Sequence, residues 1–190
     1  MTEKEKMLAG ELYDCADPEL MAIWHNGKNL AQRYNALSYD DKEAQQKILT
    51  EMLGEKGENV QITAPFYVDY GKFIYIGRDT EINMNCVFLD CNKIIIGHHC
   101  LIAPSVQIYT AFHPVDAKER FSNGSTWAIS RSAPVTIGNY CWIGGGSIIL
   151  PGIKIGNNCV IGAGSVVTKD IPDNSVAVGN PCKVIKKLPE

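Results

Sequence analysis

Aliphatic residues recur at every sixth position through the second half of the chain, without a slip. The series is Ile137, Ile143, Ile149, Ile155, Ile161 and Val167. An α-helix repeats at about 3.6 residues and an ordinary strand alternates at every second residue, so neither explains this period. A hexapeptide period is typical of a parallel β-helix, in which each short strand turns a corner and another begins. A sandwich of buried strands would not produce a fixed period.

The same period occurs earlier in the chain, with two interruptions. Its members there are Ile76, Ile82, Phe88, Ile96, Ile102 and Ile108. The step from Phe88 to Ile96 is eight residues, so two extra residues lie near Asn92–Lys93. The step from Ile108 to Ile137 is longer, and its polar sequence predicts an excursion loop over about 111–133, of a kind that is usually functional or disordered. We predict an all-β fold, with residues 57–190 forming the β-helix.

Small residues accompany the aliphatic positions. A Cys or Ser often stands two residues before the aliphatic side chain, and Gly often follows it directly. The cysteines of this row are Cys86, Cys100, Cys141 and Cys159. A narrow coil needs compact side chains inside it, and its corners need residues that tolerate unusual backbone angles. We interpret these cysteines as compact apolar fillers, since the chain has seven cysteines and no Cys-x-x-Cys pair.

Residues 1–56 lack the six-residue period and predict a helical cap. Asp17 is a suitable N-cap and Pro18 suits the first helical position. Asp40 or Asp41 is expected to begin a further helix, with Gly54 as a stop. A coil of this kind needs its open end or flank covered, because exposed strand edges invite pairing with other chains.

Composition limits the classes of function. The chain has 190 residues, of which 45% are hydrophobic, and its net charge is −3, so a general nucleic-acid surface is not expected. No apolar run approaches the length of a membrane-spanning helix. The N-terminus carries charges of both signs and does not resemble a secretory signal. We therefore expect a cytoplasmic protein that does not act at a membrane.

Several residues could carry chemistry. His113 stands where the coil stops and the excursion begins, and a neutral imidazole there could act as a base or could have no role. Asp69, Asn83 and Asp90 could be corner residues or could hold hydroxyl groups in a groove. Trp142 interrupts an outward row of smaller residues, which is typical of a ligand surface or of packing against a neighbour. No set of convergent zinc ligands is indicated.

Four segments together resemble the maltose and galactoside O-acetyltransferases. They are Tyr-Thr-Ala-Phe-His-Pro (109–114), Val-Thr-Ile-Gly-Asn-Tyr-Cys-Trp-Ile-Gly-Gly (135–145), Ile-Gly-Ala-Gly-Ser-Val-Val-Thr-Lys-Asp-Ile-Pro (161–172) and Gly-Asn-Pro-Cys-Lys-Val-Ile-Lys-Lys-Leu (179–188). Residues 5–13 also look like that family's first helix. The resemblance covers nearly the whole chain, and the combination of His-Pro with Trp-Ile-Gly is its specific part.

The resemblance implies a left-handed β-helix, a homotrimer with active sites between subunits, and acetyl-CoA as the donor. It implies that His113 is the catalytic base, which removes the proton of a sugar hydroxyl as this attacks the thioester. Asn83 and Asp69 match acceptor-binding positions. The positions that match the cofactor channel and its basic end are Trp142, Gly145, Ala163, Thr168, Lys169, Lys183 and Lys186.

The chain departs from the family pattern in two places. The galactoside branch often has a second acid after Asp90, where this chain has Cys91, and Asp69 looks more like the maltose branch. The expected acceptor is therefore a sugar such as maltose or glucose. The stretch 123–134 looks longer than usual, with Trp127 and Arg131 added, which leaves a non-sugar acceptor such as an antibiotic as an alternative. A γ-type zinc carbonic anhydrase and a non-catalytic β-helix are the alternatives from other classes.

Overall fold

The computed structural model describes residues 1–122 and 129–189. Three helices come first: α1 (Glu3–Ala9), α2 (Pro18–Asn35) and α3 (Lys42–Met52). The predicted start of α2 is confirmed, because the Asp17 carboxylate accepts hydrogen bonds from the N–H groups of Glu19 and Leu20. Asp41 rather than Asp40 is the N-cap of α3.

Strand pairing begins directly after α3. In chain order the strands of the coil and its excursion are β1 (Glu55–Lys56), β2 (Gln61–Ile62), β3 (Phe66–Val68), β4 (Ile74–Ile76), β5 (Glu81–Ile82), β6 (Cys86–Leu89), β7 (Ile94–Ile96), β8 (Leu101–Ile102), β9 (Gln107–Tyr109), β10 (Ala111–Phe112), β11 (Arg131–Ser132), β12 (Val135–Ile137), β13 (Trp142–Ile143), β14 (Ile148–Ile149), β15 (Lys154–Ile155), β16 (Val160–Ile161), β17 (Val166–Val167), β18 (Ser175–Val178) and β19 (Lys183–Lys187). A short helix, α4 (Ala117–Arg120), lies between β10 and β11. Because β1 pairs with β4, the stacking of parallel strands starts at Glu55.

Corresponding strands of successive turns of the coil pair with each other, so three sheets form the sides of a prism. Side one is β1-β4-β7-β12-β15, side two is β2-β5-β8-β13-β16-β18-β19 and side three is β3-β6-β9-β14-β17. All neighbouring strands in these sides are parallel except β18 and β19, which are antiparallel. The predicted parallel β-helix with helices at its N-terminal end and one long excursion is confirmed.

The six-residue period corresponds to columns of buried side chains inside the prism. Ile82, Ile102, Ile143 and Ile161 are in register on side two. The other sides carry equivalent columns, and all these side chains are almost completely buried. One period of six residues corresponds to one side of the coil, which explains why the sequence predicts the fold.

The cysteines of the small row fill the interior, as predicted. Their thiols also donate hydrogen bonds to carbonyl oxygens. Cys100 Sγ lies 3.1 Å from Gly138 O, Cys141 Sγ lies 3.0 Å from Gly156 O, and Cys159 Sγ lies 3.2 Å from Pro172 O. Each thiol therefore connects one turn of the coil to the next.

The two extra residues near Asn92 contact the N-terminal helix α1. The Asn92 amide donates to the carbonyl of Met7 at 3.2 Å and to the hydroxyl of Ser132 at 3.0 Å. Ser132 belongs to β11, which pairs antiparallel with β10 at the base of the excursion. The extra residues thus join α1 to the excursion. Trp127 and the rest of 123–128 lie outside the described residues. In the described part of the chain, no helix combines the length and apolar character that crossing a bilayer requires.

Candidate active site

The predicted site residues occupy two edges of the prism. We call the corner from side three to side one the excursion edge; it contains residues 69–73, 90–93, the excursion and 168–170. We call the corner from side two to side three the glycine edge; it contains residues 83–85, 103–105, 144–146 and 162–164. His113 and Asp69 lie on the excursion edge, whereas Asn83, Gly145 and Ala163 lie on the glycine edge. One chain therefore does not bring all of the predicted residues together.

His113 follows β10 and is exposed at the base of the excursion. Its Nδ1 lies 2.9 Å from the carbonyl oxygen of Ile129 and 3.3 Å from the hydroxyl oxygen of Ser130. A carbonyl oxygen only accepts hydrogen bonds, so Nδ1 carries the proton in the neutral ring. The unprotonated Nε2 is then the nitrogen that can accept a proton from a substrate.

The segment Ile129–Ser130, which orients His113, is held from both sides. Ser130 forms a two-way backbone bridge with Tyr13, with N···O distances of 3.0 and 3.1 Å. The Ile129 N–H donates to the carbonyl of Arg120 at 3.0 Å. The guanidinium of Arg120 in turn donates to the carbonyl of Pro114, the residue after the histidine, at 2.9 Å. The segment between α1 and α2 and the helix α4 therefore fix the geometry around the imidazole.

Asp69 is not an open carboxylate. Its Oδ1 accepts hydrogen bonds from Lys28 Nζ at 2.9 Å and from Trp24 Nε1 at 3.3 Å, both on α2. Its Oδ2 faces the thiol of Cys91 at 3.6 Å. Burial raises the pKa of Cys91 well above its usual value, so this thiol is a donor to the carboxylate. The predicted acceptor-binding residue thus forms part of a polar cluster with the helical segment.

Asp90 is a structural residue of the excursion edge. Its side chain is fully buried, and its carboxyl oxygens accept hydrogen bonds from the backbone N–H groups of Asp69, Tyr70 and Phe73 at 3.0, 2.8 and 3.2 Å. Burial raises its pKa to about 7, although hydrogen bonds from backbone N–H groups act to lower the pKa. Its role is to hold the turn that carries Asp69.

Small residues line the glycine edge, and we call the row that they form the channel. Gly145 and Ala163 occupy equivalent corners of successive turns, and a Cβ added at Gly146 or Gly164 would contact nothing within 4 Å. Trp142 lies on side two just before this edge, and 54% of its side chain is exposed. An exposed indole beside a corner without side chains suits an extended, slender ligand.

The basic positions separate into two groups. Lys183 and Lys186 are exposed on β19, which pairs with β18 at the far end of side two. Since neighbouring strands lie about 4.8 Å apart, β19 is about 14 Å from Trp142 along this side. Thr168 and Lys169 are also exposed, but they lie on the excursion edge. Lys183 and Lys186 thus lie at one end of the side that carries Trp142, and Thr168 and Lys169 do not.

Within the described ranges, no group of three or more His, Cys, Asp or Glu side chains converges as a metal site would require. His98 and His99 pack edge to face against each other with ring centroids 5.1 Å apart, and both contact Tyr140. With Tyr140 they form an aromatic cluster at the corner between sides one and two.

Sequence reasoning missed the residues that support the site from a distance. Tyr13, Ser130, Trp24 and Lys28 approach His113 or Asp69 only after folding. No periodic pattern marks Tyr13, Ser130 or Lys28, and the helical spacing of Trp24 predicts only an apolar face of α2. The position of Ser130, five residues before the coil resumes at β12, could have indicated the base of the excursion.

Comparisons with known proteins agree with this geometry. Residues 6–57 match the model of the maltose acetyltransferase hexapeptide capping motif, and residues 134–169 match that of the bacterial transferase hexapeptide with six repeats. Nodulation protein L of Rhizobium meliloti is 48% identical over 96% of this chain and 97% of its own length.

Two solved structures superimpose closely on the chain. A maltose O-acetyltransferase from Clostridium difficile 630 has a TM-score of 0.96 and 49% identity, with 100% of this chain and 99% of that chain covered. A galactoside acetyltransferase in complex with coenzyme A has a TM-score of 0.94 and 39% identity, with 100% and 92% covered. The chain is therefore an acetyltransferase that belongs to the hexapeptide-repeat family of maltose and galactoside O-acetyltransferases.

Proposed function

We propose that the protein transfers an acetyl group from acetyl-CoA to a hydroxyl of a sugar such as maltose or glucose, with His113 as general base. The observation that carries this proposal is the fixed orientation of the exposed imidazole. The Ile129 carbonyl holds the proton on Nδ1 and leaves Nε2 free to accept a proton. The maltose O-acetyltransferase relative supports a sugar as the acceptor.

The reaction needs one base and two bound substrates. A sugar hydroxyl is a weak nucleophile at neutral pH, so His113 Nε2 takes its proton as the oxygen attacks the thioester carbonyl. The resulting imidazolium then returns the proton to the departing CoA thiolate. Holding both substrates in one cleft makes a covalent enzyme intermediate unnecessary.

The separation of the predicted residues supports a site formed between subunits. His113 and Asp69 lie on the excursion edge, whereas Asn83 and Trp142 lie on or beside the glycine edge. A side-by-side homotrimer of prisms would place the excursion edge of one protomer against the glycine edge of the next. The exposed apolar side chains of Leu101 and Trp142 on side two would then become covered.

The channel of the glycine edge is the proposed binding site of the cofactor. Trp142 would flank the pantetheine arm, Gly145 and Ala163 would leave room for it, and Lys183 and Lys186 would approach the phosphates. A galactoside acetyltransferase of the same fold binds coenzyme A. Thr168 and Lys169 could contribute only from another edge, which requires a second protomer.

Acceptor binding is proposed at the excursion edge. Asp69 keeps acceptor capacity on its oxygens although Lys28 and Trp24 hold it in place. Asn83 would reach the same acceptor from the neighbouring protomer. The Asn83 side-chain oxygen accepts the N–H of Met84 at 2.8 Å, which leaves its NH₂ group to donate to a hydroxyl.

The test is a CoA-release assay with the variant His113→Ala over a panel of sugars and antibiotics, with product mass confirmation. We expect transfer to fall by about 10²- to 10⁴-fold because the base is lost. The matched control is His25→Ala on the exposed surface of α2, which should keep full activity. Light scattering should give a trimer for all three proteins. Wild-type turnover in His113→Ala would refute the role of His113, and turnover of antibiotics but not sugars would refute the acceptor class.

A further inference from the structure

Ser130 is a buried hydroxyl residue beside the proposed base. Only 5% of it is exposed, and its backbone N–H and carbonyl are both bound to Tyr13. Its Oγ lies 3.3 Å from His113 Nδ1. A buried serine that is clamped in this way has a fixed position relative to the imidazole.

The direction of the hydrogen bonds follows from the neighbouring groups. Nδ1–H donates to the Ile129 carbonyl, so it can be shared with a second acceptor but cannot itself accept. Ser130 Oγ is therefore the second acceptor. The Ser130 hydroxyl is then available to donate to Cys15 Sγ: burial raises the pKa of this thiol, and a hydrogen bond with Ser130 acts to lower it.

We propose that Ser130 is a positioning residue, which aligns the His113 ring and stabilises its imidazolium form through Nδ1–H. This inference rests on the proposed role of His113 as base. An imidazolium N–H is a stronger donor than a neutral one, so a second acceptor favours the protonated ring over the neutral ring. The segment that contains Tyr13 acts on the reaction by holding Ser130 in place.

Three of the charged side chains near the histidine, those of Glu119, Arg120 and Arg131, have partners of their own. The titratable side chains on the elements packed there are Tyr13, Asp14, Cys15, Asp116, Lys118, Glu119, Arg120 and Arg131. The guanidinium of Arg120 donates to backbone carbonyls of residues 114 and 115, and Arg131 faces Glu119 at 3.9 Å. Replacing Ser130 leaves these contacts intact, so a changed pH profile would report the lost hydroxyl.

The experiment compares Ser130→Ala, Ser130→Cys and Ser130→Thr in the pH dependence of kcat/KM. Loss of the acceptor should move the acid limb to lower pH by about 0.3–1 unit, because the base then resists protonation. At the plateau kcat should fall about 3- to 10-fold, the range that corresponds to one net hydrogen bond, with an unchanged KM for acetyl-CoA. Cys keeps the size but accepts weakly, so it should behave like Ala, whereas Thr should restore the wild-type profile.

Cys15→Ala is the control, since it removes the group beyond Ser130 and should leave the acid limb in place. A profile of Ser130→Ala or Ser130→Cys that superimposes on the wild type would overturn the inference, as would Thr behaving like Ala. If His113→Ala also retains activity, the proposed function itself fails. If His113→Ala loses activity but the Ser130 variants keep the wild-type pH profile, the proposed function stands and Ser130 has no positioning role.

Discussion

Replacement of Asp90 by Asn tests how burial controls the excursion edge. The carboxyl group is fully buried, and three backbone N–H groups donate to it. Burial nevertheless raises its pKa to about 7. The unfolded chain has the ordinary aspartate value of about 3.9. The side chain is therefore largely neutral in the folded protein at pH 5 and increasingly charged above pH 7.

The sign and size of the effect follow from linkage. Because the folded pKa is the higher one, the stability associated with this group is fully present below about pH 4 and is lost as the pH rises through 7. One unit corresponds to about 1.4 kcal/mol, so the wild type should lose about 2–3 kcal/mol between pH 5 and 7 through Asp90. In Asp90→Asn this loss disappears. The amide NH₂ would however face the N–H of Phe73, at a cost of about 1–3 kcal/mol at every pH.

We therefore expect the wild type to be more stable than Asp90→Asn at pH 4, and the difference to vanish or reverse by pH 8. Urea unfolding at four pH values between these limits measures the free energy of unfolding, at one protein concentration because association would shift it. Asp170→Asn is the matched control: this exposed corner aspartate also accepts a backbone N–H, from Lys154 at 2.8 Å. A difference that stays constant or grows with pH would refute the reasoning, since the three N–H donors would then dominate over burial.

Two further predictions concern the channel and the core. Trp142→Ala should weaken CoA binding about 10-fold in calorimetry, and acceptor binding less, because the exposed indole would flank the cofactor. Tyr140 is an exposed aromatic residue at another corner, so Tyr140→Ala should leave the CoA dissociation constant unchanged. An equal loss in both variants would argue against the channel as the cofactor site. Phe88→Ala should lower the free energy of unfolding by about 3–5 kcal/mol in urea titrations, because Phe88 is completely buried and packs edge to face on Phe66 at 5.1 Å. Tyr67→Ala on the exposed face of side three should cost far less, and similar costs would contradict the assignment of the core.

The sequence predicted the coil because each inward column repeats at a fixed interval. Ile82, Ile102, Ile143 and Ile161 follow directly from that period, and the N-cap Asp17 follows from local chemistry. The contacts around the site could not be predicted in this way. Tyr13 meets Ser130, and Lys28 meets Asp69, across large distances in the chain, and no local rule specifies such pairs.

The same reasoning explains what the sequence left open at Asp90, which could have been a corner residue or a ligand for hydroxyl groups. Only burial and the three backbone donors assign it to the turn. The division of the chain at residue 56, the roles of the individual site residues and a cytoplasmic location stay predictions.

The reversal of β19 against β18 has a consequence for assembly. An open parallel coil could stack end to end with other copies into a fibre, since each terminal turn offers unpaired backbone groups. Here the last parallel strand of side two is already paired with a strand of opposite direction, and α2 and α3 pack near the first turn. Longitudinal growth is therefore disfavoured at both ends, and the faces left for self-association are the lateral ones.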